Sequence, residues 1–129
     1  MKSSWISWLL RIVAALILLQ TLYFKFTGDK ESIYIFSNLG MEPYGRIGSG
    51  IAELIASILI LYPRTTWLGA LIGMGVMIGA IASHLLVLGI EVQNDGGTLF
   101  ILALITFICC SLLVFQNKNK ILDLLKLKI

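Results

Sequence analysis

This sequence carries little charge. Ten lysines and arginines and seven aspartates and glutamates make up 13% of 129 residues, against roughly 25% in an ordinary soluble domain. Hydrophobic side chains make up 58% and the mean hydropathy is +0.94. So short a chain has much surface for its volume and would need polar side chains to cover it in water. A soluble domain is therefore excluded, and lipid is the better solvent. Cysteine occurs twice, as the adjacent pair Cys109 and Cys110. Adjacent helical residues point about 100° apart, and the pair provides no disulfide framework, no CxxC redox motif and no zinc spacing. Histidine occurs once, so a haem would find one axial ligand and no CxxCH attachment. Glu53 and that histidine alone are too few ligands for a metal. Nucleophilic triads, phosphate loops and dinucleotide fingerprints are missing as well. The net charge of +3 does not point to nucleic acid, because the basic residues form no stripe interleaved with aromatics.

What is present is four long apolar runs, at about 5–24, 44–62, 67–90 and 98–115. Each is long enough as a helix to cross about 30 Å of hydrocarbon. The two prolines agree with these limits: Pro43 suits a first helical turn, and Pro63 lies where the second run should stop. Asn94-Asp95-Gly96-Gly97 is a turn cluster ahead of the fourth run. The link from Pro63 to Thr66 is short enough to force an antiparallel hairpin. Trp5, Trp8, Trp67, Tyr23, Tyr44 and Tyr62 cluster near run ends, as amphipathic rings do at membrane interfaces. The fold class is all-α: a four-helix integral membrane bundle forming one domain over 1–129. The first run is read as a retained helix and not as a signal peptide, because Arg11 interrupts it and no cleavage site follows. Arg11 lies about 9 Å along the helix from Trp5, close enough to snorkel back toward the terminus.

Lys2, Arg64, Lys118, Lys120, Lys126 and Lys128 fall on the side shared by both termini and the middle link. The other side carries Lys25, Lys30 and Arg46 among five acidic residues, so both termini are predicted to be cytoplasmic. In the basic tail, 116–129, Ile121, Leu122, Leu125 and Ile129 fall near one helical face, which suits either the anionic inner leaflet or a plain solvated tail. The first outer connection, Lys25 to Glu42, is predicted to hold a short interfacial helix starting after Asp29. Ile33, Phe36 and Leu39 would share its face, and Gly40 would stop it. Such a helix would either cover the mouth of the bundle or anchor the loop.

Lipid gives helices no hydrophobic reason to associate, so their packing depends on small residues. The second run provides Gly45, Gly48, Ser49, Ala52 and Ala56, and the third Gly69, Gly73, Gly75, Gly79, Ala80 and Ser83. These two helices are expected to form the packed centre. The costly side chains fall on the same seam. Glu53 shares a face with Arg46, Ser49, Gly50, Ala56 and Ser57, and His84 with Gly73, Met77, Ala80 and Glu91. At 1.5 Å per residue Glu53 lies about 13 Å inward from Tyr44, His84 about 9 Å from Ile90 and Gln20 about 6 Å from Phe24. Lys25 and Arg46 stand at the rim. A charge near a helix centre costs about 2.5–3.5 kcal/mol, which the isoleucines and leucines around Glu53 can offset. Glu53 is thus open to a structural pairing with Lys25, Arg46 or His84, or to a ligand, proton or redox role.

Three segments, Leu22-Tyr23-Phe24-Lys25-Phe26-Thr27-Gly28, Leu39-Gly40-Met41-Glu42-Pro43 and Gly50-Ile51-Ala52-Glu53-Leu54, followed by a third span with His84, resemble the DoxX-like membrane proteins. The resemblance extends over about 8–115, and Lys25, Glu53 and His84 fall on its pattern. Met41 and Glu42 lengthen the usual Leu-Gly-x-Pro. The resemblance implies a four-helix fold in a bacterial cytoplasmic membrane and an association with membrane redox systems. The polar residues of the outer half, Glu53, His84, Lys25, Arg46 and Gln20, are the expected site, facing the outer leaflet and, with the redox association the resemblance implies, taking a quinone-like or other small apolar ligand, with haem the poorer cofactor candidate. The alternatives are a non-catalytic assembly subunit contacting a membrane redox partner or a second copy, and a small transporter.

Overall fold

The computed structural model describes residues 4–42, 44–90, 96–119 and 121–123. Expectations resting on Lys2, Pro43, Glu91, Asn94, Asp95, Lys120 and 124–129 lie outside the described residues. Five α-helices follow one another: α1 (Ser4–Thr27), α2 (Lys30–Asn38), α3 (Tyr44–Leu61), α4 (Thr66–Ser83) and α5 (Thr98–Gln116). A π-helical turn, His84–Leu88, extends α4. Four of these segments, Trp5–Thr27, Tyr44–Leu61, Thr66–Leu88 and Thr98–Gln116, are long and apolar enough to cross a membrane. No strand occurs among the described residues.

The four long helices pack in a ring, α1 on α3, α3 on α4, α4 on α5 and α5 on α1, leaving α1 and α4 diagonally opposed. The α3–α4 hairpin is stapled at its turn. A helix ends with carbonyls that have no intrahelical donor, and here threonines from the next helix supply donors. Thr65 Oγ1 donates to the Leu59 carbonyl at 2.9 Å, and buried Thr66 Oγ1 to those of Ile60 at 2.9 Å and Tyr62 at 3.0 Å. Pro63 stands just past the end of α3, where its ring can no longer break the helix.

The core fills the half of the bundle nearest this hairpin turn and draws on all four long helices. Ala14 and Leu18 of α1, Ala56 and Ile60 of α3, Ala70 and Met77 of α4, and Ala103, Cys110 and Leu113 of α5 are buried together. Gly69 sets the spacing: a Cβ there would stand 2.6 Å from the Ile60 amide nitrogen and 2.8 Å from the Ala56 carbonyl oxygen. At Gly73 it would stand 2.8 Å from Cys110 Sγ. Both cysteines are free and buried, and Cys110 fills the space that Gly73 leaves. The expected α3–α4 seam is thus real at Gly69, but the packed centre belongs equally to α1 and α5. Arg11, on the inward face of α1 with Ala14 and Leu18, turns back over the Trp8 ring at 4.5 Å, toward the terminus.

The face of α2 departs from expectation. Ser32 and Phe36 are buried and, with Ile35 and Leu39, look into the bundle, while Ile33 is exposed. Spacings of three, four and seven residues place 32, 35, 36 and 39 on one side; Ile33 lies about 100° round from Ser32. Glycines in the left-handed region bracket α2, Gly28 with φ +70° and Gly40 with φ +73°, a conformation that costs side-chain-bearing residues but not glycine.

Candidate functional site

Away from the hairpin turn the helices do not close on one another, and a cavity of about 600 Å³ lies between α1, α2, α3, α4 and α5. Most of its wall is apolar. Ile17, Leu18 and Phe24 come from α1, Ile35, Phe36 and Leu39 from α2 and its end, Val76, Met77 and Ala80 from α4, and Leu99, Leu102 and Ala103 from α5. Gly75 and Gly79 also line it, and nothing lies within 4 Å of where a Cβ would stand on either. Gly69 is buried where α4 packs on α3, whereas Gly75 and Gly79, about two to three turns later and about 80–120° round the helix, face open space.

The polar part of the wall is concentrated. Glu53, 1% exposed, comes from the buried face of α3 with Gly50, Ala56, Ser57 and Ile60. Lys25, in the last turn of α1, reaches it because α1 and α3 run antiparallel in contact: Nζ lies 2.9 Å from Glu53 Oε2. Of the pairings open to Glu53, this is the one formed. The ammonium group also stands 5.7 Å from the Phe36 ring centroid, so one cation links α1, α3 and the short helix above them. The second carboxylate oxygen, Oε1, is buried and has no hydrogen-bond partner among the described residues. Such atoms are rare in native structures, because an unpaired buried acceptor costs about 1–3 kcal/mol.

His84 approaches from the opposite wall. It is buried at the start of the π-helical turn, which Gly89 ends at φ +83°. π-turns inside helices recur at functional sites because they re-aim side chains. Here the turn lets Nδ1 meet the Gly89 carbonyl at 2.9 Å, while the Gly89 amide donates to the His84 carbonyl at 2.7 Å. A carbonyl only accepts, so Nδ1 carries the proton of this bond. The Phe100 ring meets the imidazole edge-on at 5.5 Å and 71°.

The remaining two expected site residues do not join this group. Arg46 holds Glu42 in a bidentate pair, Nε to Oε1 at 2.8 Å and Nη2 to Oε2 at 3.0 Å, and its Nη1 donates to the Lys25 carbonyl. It ties the end of α1 to the start of α3 and so positions Lys25 through the backbone; it does not line the cavity. Gln20 is exposed, and its neighbour Thr21 takes the place on the wall expected for it. Thr21 lies one turn before Lys25, and a face traced from Lys25 by four residues would have selected it. Ser32, Ser49 and Ser83 also line the cavity. Ser49 and Ser83 were read in the sequence as packing residues and Ser32 carried no expectation, because its place depends on how α2 folds back.

Four apolar helices around one buried ion pair and histidine define a small four-helix integral membrane protein. The DoxX family profile matches residues 6–89, a stretch that holds Lys25, Glu53 and His84 and stops before α5. The chain belongs to the DoxX family. No curated protein and no solved structure matches it.

Proposed function

We propose that this DoxX family protein binds a quinone-like or other small apolar ligand in the Glu53–His84 cavity and serves a membrane redox system in the bacterial cytoplasmic membrane. With both termini cytoplasmic, the cavity faces the outer leaflet. The observation that carries this reading is the unpartnered Glu53 oxygen on the wall of a largely apolar cavity. A purely structural ion pair has no need of 600 Å³ of open space beside it, a volume within the range of sites for small molecules. Glu53 would accept or donate a proton, Lys25 would balance its charge, and His84 Nε2 would accept a hydrogen bond from a ligand hydroxyl oxygen. Arg46 would act only by holding Lys25 in place.

The test is isolation from the native membrane followed by mass spectrometry and an ultraviolet-visible spectrum of co-extracted small molecules. Wild type is expected to carry an apolar ring compound at near one per chain, and Glu53→Gln and His84→Ala to carry much less. Equal content in all three would remove the site assignment and leave an assembly subunit as the better reading.

A further inference from the structure

We infer that the cavity selects its ligand by the hydrogen bonds the ligand's head donates, taking phenol- or hydroquinone-type heads over the acceptor-only quinone; this rests on the ligand-binding reading above. The wall has an excess of acceptors. Glu53 Oε2 is occupied by Lys25, and buried Oε1 has no partner among the described residues. His84 spends its Nδ1 proton on the Gly89 carbonyl, so in the neutral ring Nε2 has only a lone pair to offer.

The hydroxyls follow the same pattern. Thr21 donates to the Leu18 carbonyl at 2.9 Å, Ser49 to that of Arg46 at 3.3 Å and Ser83 to that of Gly79 at 2.8 Å. A hydroxyl has one proton; while it is spent on the backbone each oxygen presents lone pairs elsewhere, and of the three only Thr21 also stands beside the Glu53 carboxylate, which competes with Leu18 for its proton. Among the described residues the side-chain donors left on the wall are Ser32 and the Lys25 N–H bonds that Glu53 does not take. A quinone, whose two head oxygens only accept, could use these but would leave Glu53 Oε1 unpaired and set its remaining lone pairs against those of the wall. A hydroquinone of the same shape supplies the two missing protons.

Three probes separate head chemistry from shape: a decyl benzohydroquinone, the corresponding benzoquinone and the hydroquinone dimethyl ether. They are to be titrated anaerobically into the purified full chain at fixed detergent concentration. The hydroquinone is expected to bind at least about tenfold more tightly than either of the others, the size of one well-made hydrogen bond to a charged acceptor. In Glu53→Gln, whose amide can donate to a quinone, that ratio is expected to fall to about threefold or less. Quinone binding as tight as hydroquinone binding, or a ratio unchanged in Glu53→Gln, would overturn the selectivity while leaving the cavity a ligand site. No binding of any probe, or binding untouched by filling the cavity with Gly79→Leu, would overturn both. The wild-type ratio decides the matter even if a variant folds poorly.

Discussion

At the hairpin end of the bundle Gly69 brings α4 into backbone contact with α3, and at the other end Gly75 and Gly79 of the same helix face open space. Residue type and four-residue spacing are alike, but Gly75 and Gly79 stand about 80–120° round α4 from Gly69, on a more exposed side, and the outcomes are opposite. In the first half polar side chains satisfy carbonyls: Thr66 bonds back to α3, and Thr106 donates to the Leu102 carbonyl at 2.9 Å. In the second half Thr21, Ser49 and Ser83 also bond to carbonyls, but they do so on the wall of a cavity, and one carboxylate oxygen there is left without a donor among the described residues. A glycine in a membrane helix permits close approach but does not enforce it. What lies opposite decides, here the Ile60 backbone in one half and the gap beneath α2 in the other.

The largest effect should come from the cavity half. Lys25→Met leaves the Glu53 carboxylate buried without its counter-ion and should cost about 3–5 kcal/mol, read as a loss of stability in detergent unfolding. The double variant with Glu53→Met should recover most of it, and a double variant as unstable as the single one would show that the loss does not come from the unpaired carboxylate. Next comes Gly69→Ala, which must push α3 and α4 backbones apart and should cost about 1–3 kcal/mol by the same measurement. A wild-type unfolding curve would mean that the two helices are not in backbone contact there. Thr66→Val removes the donor to the Ile60 carbonyl of α3 and the Tyr62 carbonyl just past it and should cost about 0.5–1.5 kcal/mol; if stability is unchanged, the hairpin turn does not depend on that staple. The smallest change is Gly79→Ala, expected to stay within about 0.5 kcal/mol while measurably weakening binding of an apolar probe. Were it to destabilise as much as Gly69→Ala, the contrast between the halves would collapse.

Much of this molecule is legible in one dimension. The four spans come within a few residues of their observed limits because lipid demands long apolar runs and Pro63 cannot continue a helix. Glu53, Lys25 and His84 are legible for a related reason: an ionisable group in so apolar a chain is conspicuous. Finer placement is not. Gln20 and Thr21 differ by one position but by about 100° of azimuth, and only the packing of α1 on α3 shows which faces the cavity. In α2 the apolar residues are too few to fix the phase of nine residues, so the spacing selects Ile33 with Phe36 and Leu39, whereas the backbone path places Ser32 and Phe36 inward and leaves Ile33 exposed. Arg46 and Glu53 share a helical face, but Glu42 and the end of α1 lie closer to the guanidinium than that face suggests.

The sequence by itself determined the solvent, the number of helices and the short set of side chains expensive enough to mark a site, because each follows from the cost of placing a residue in hydrocarbon. Only the tertiary structure decided which acid met which base, which glycines pack and which leave space, and which hydroxyls lie on the cavity wall. Those depend on distances between helices, and a sequence records positions along a helix, not the gap between two of them.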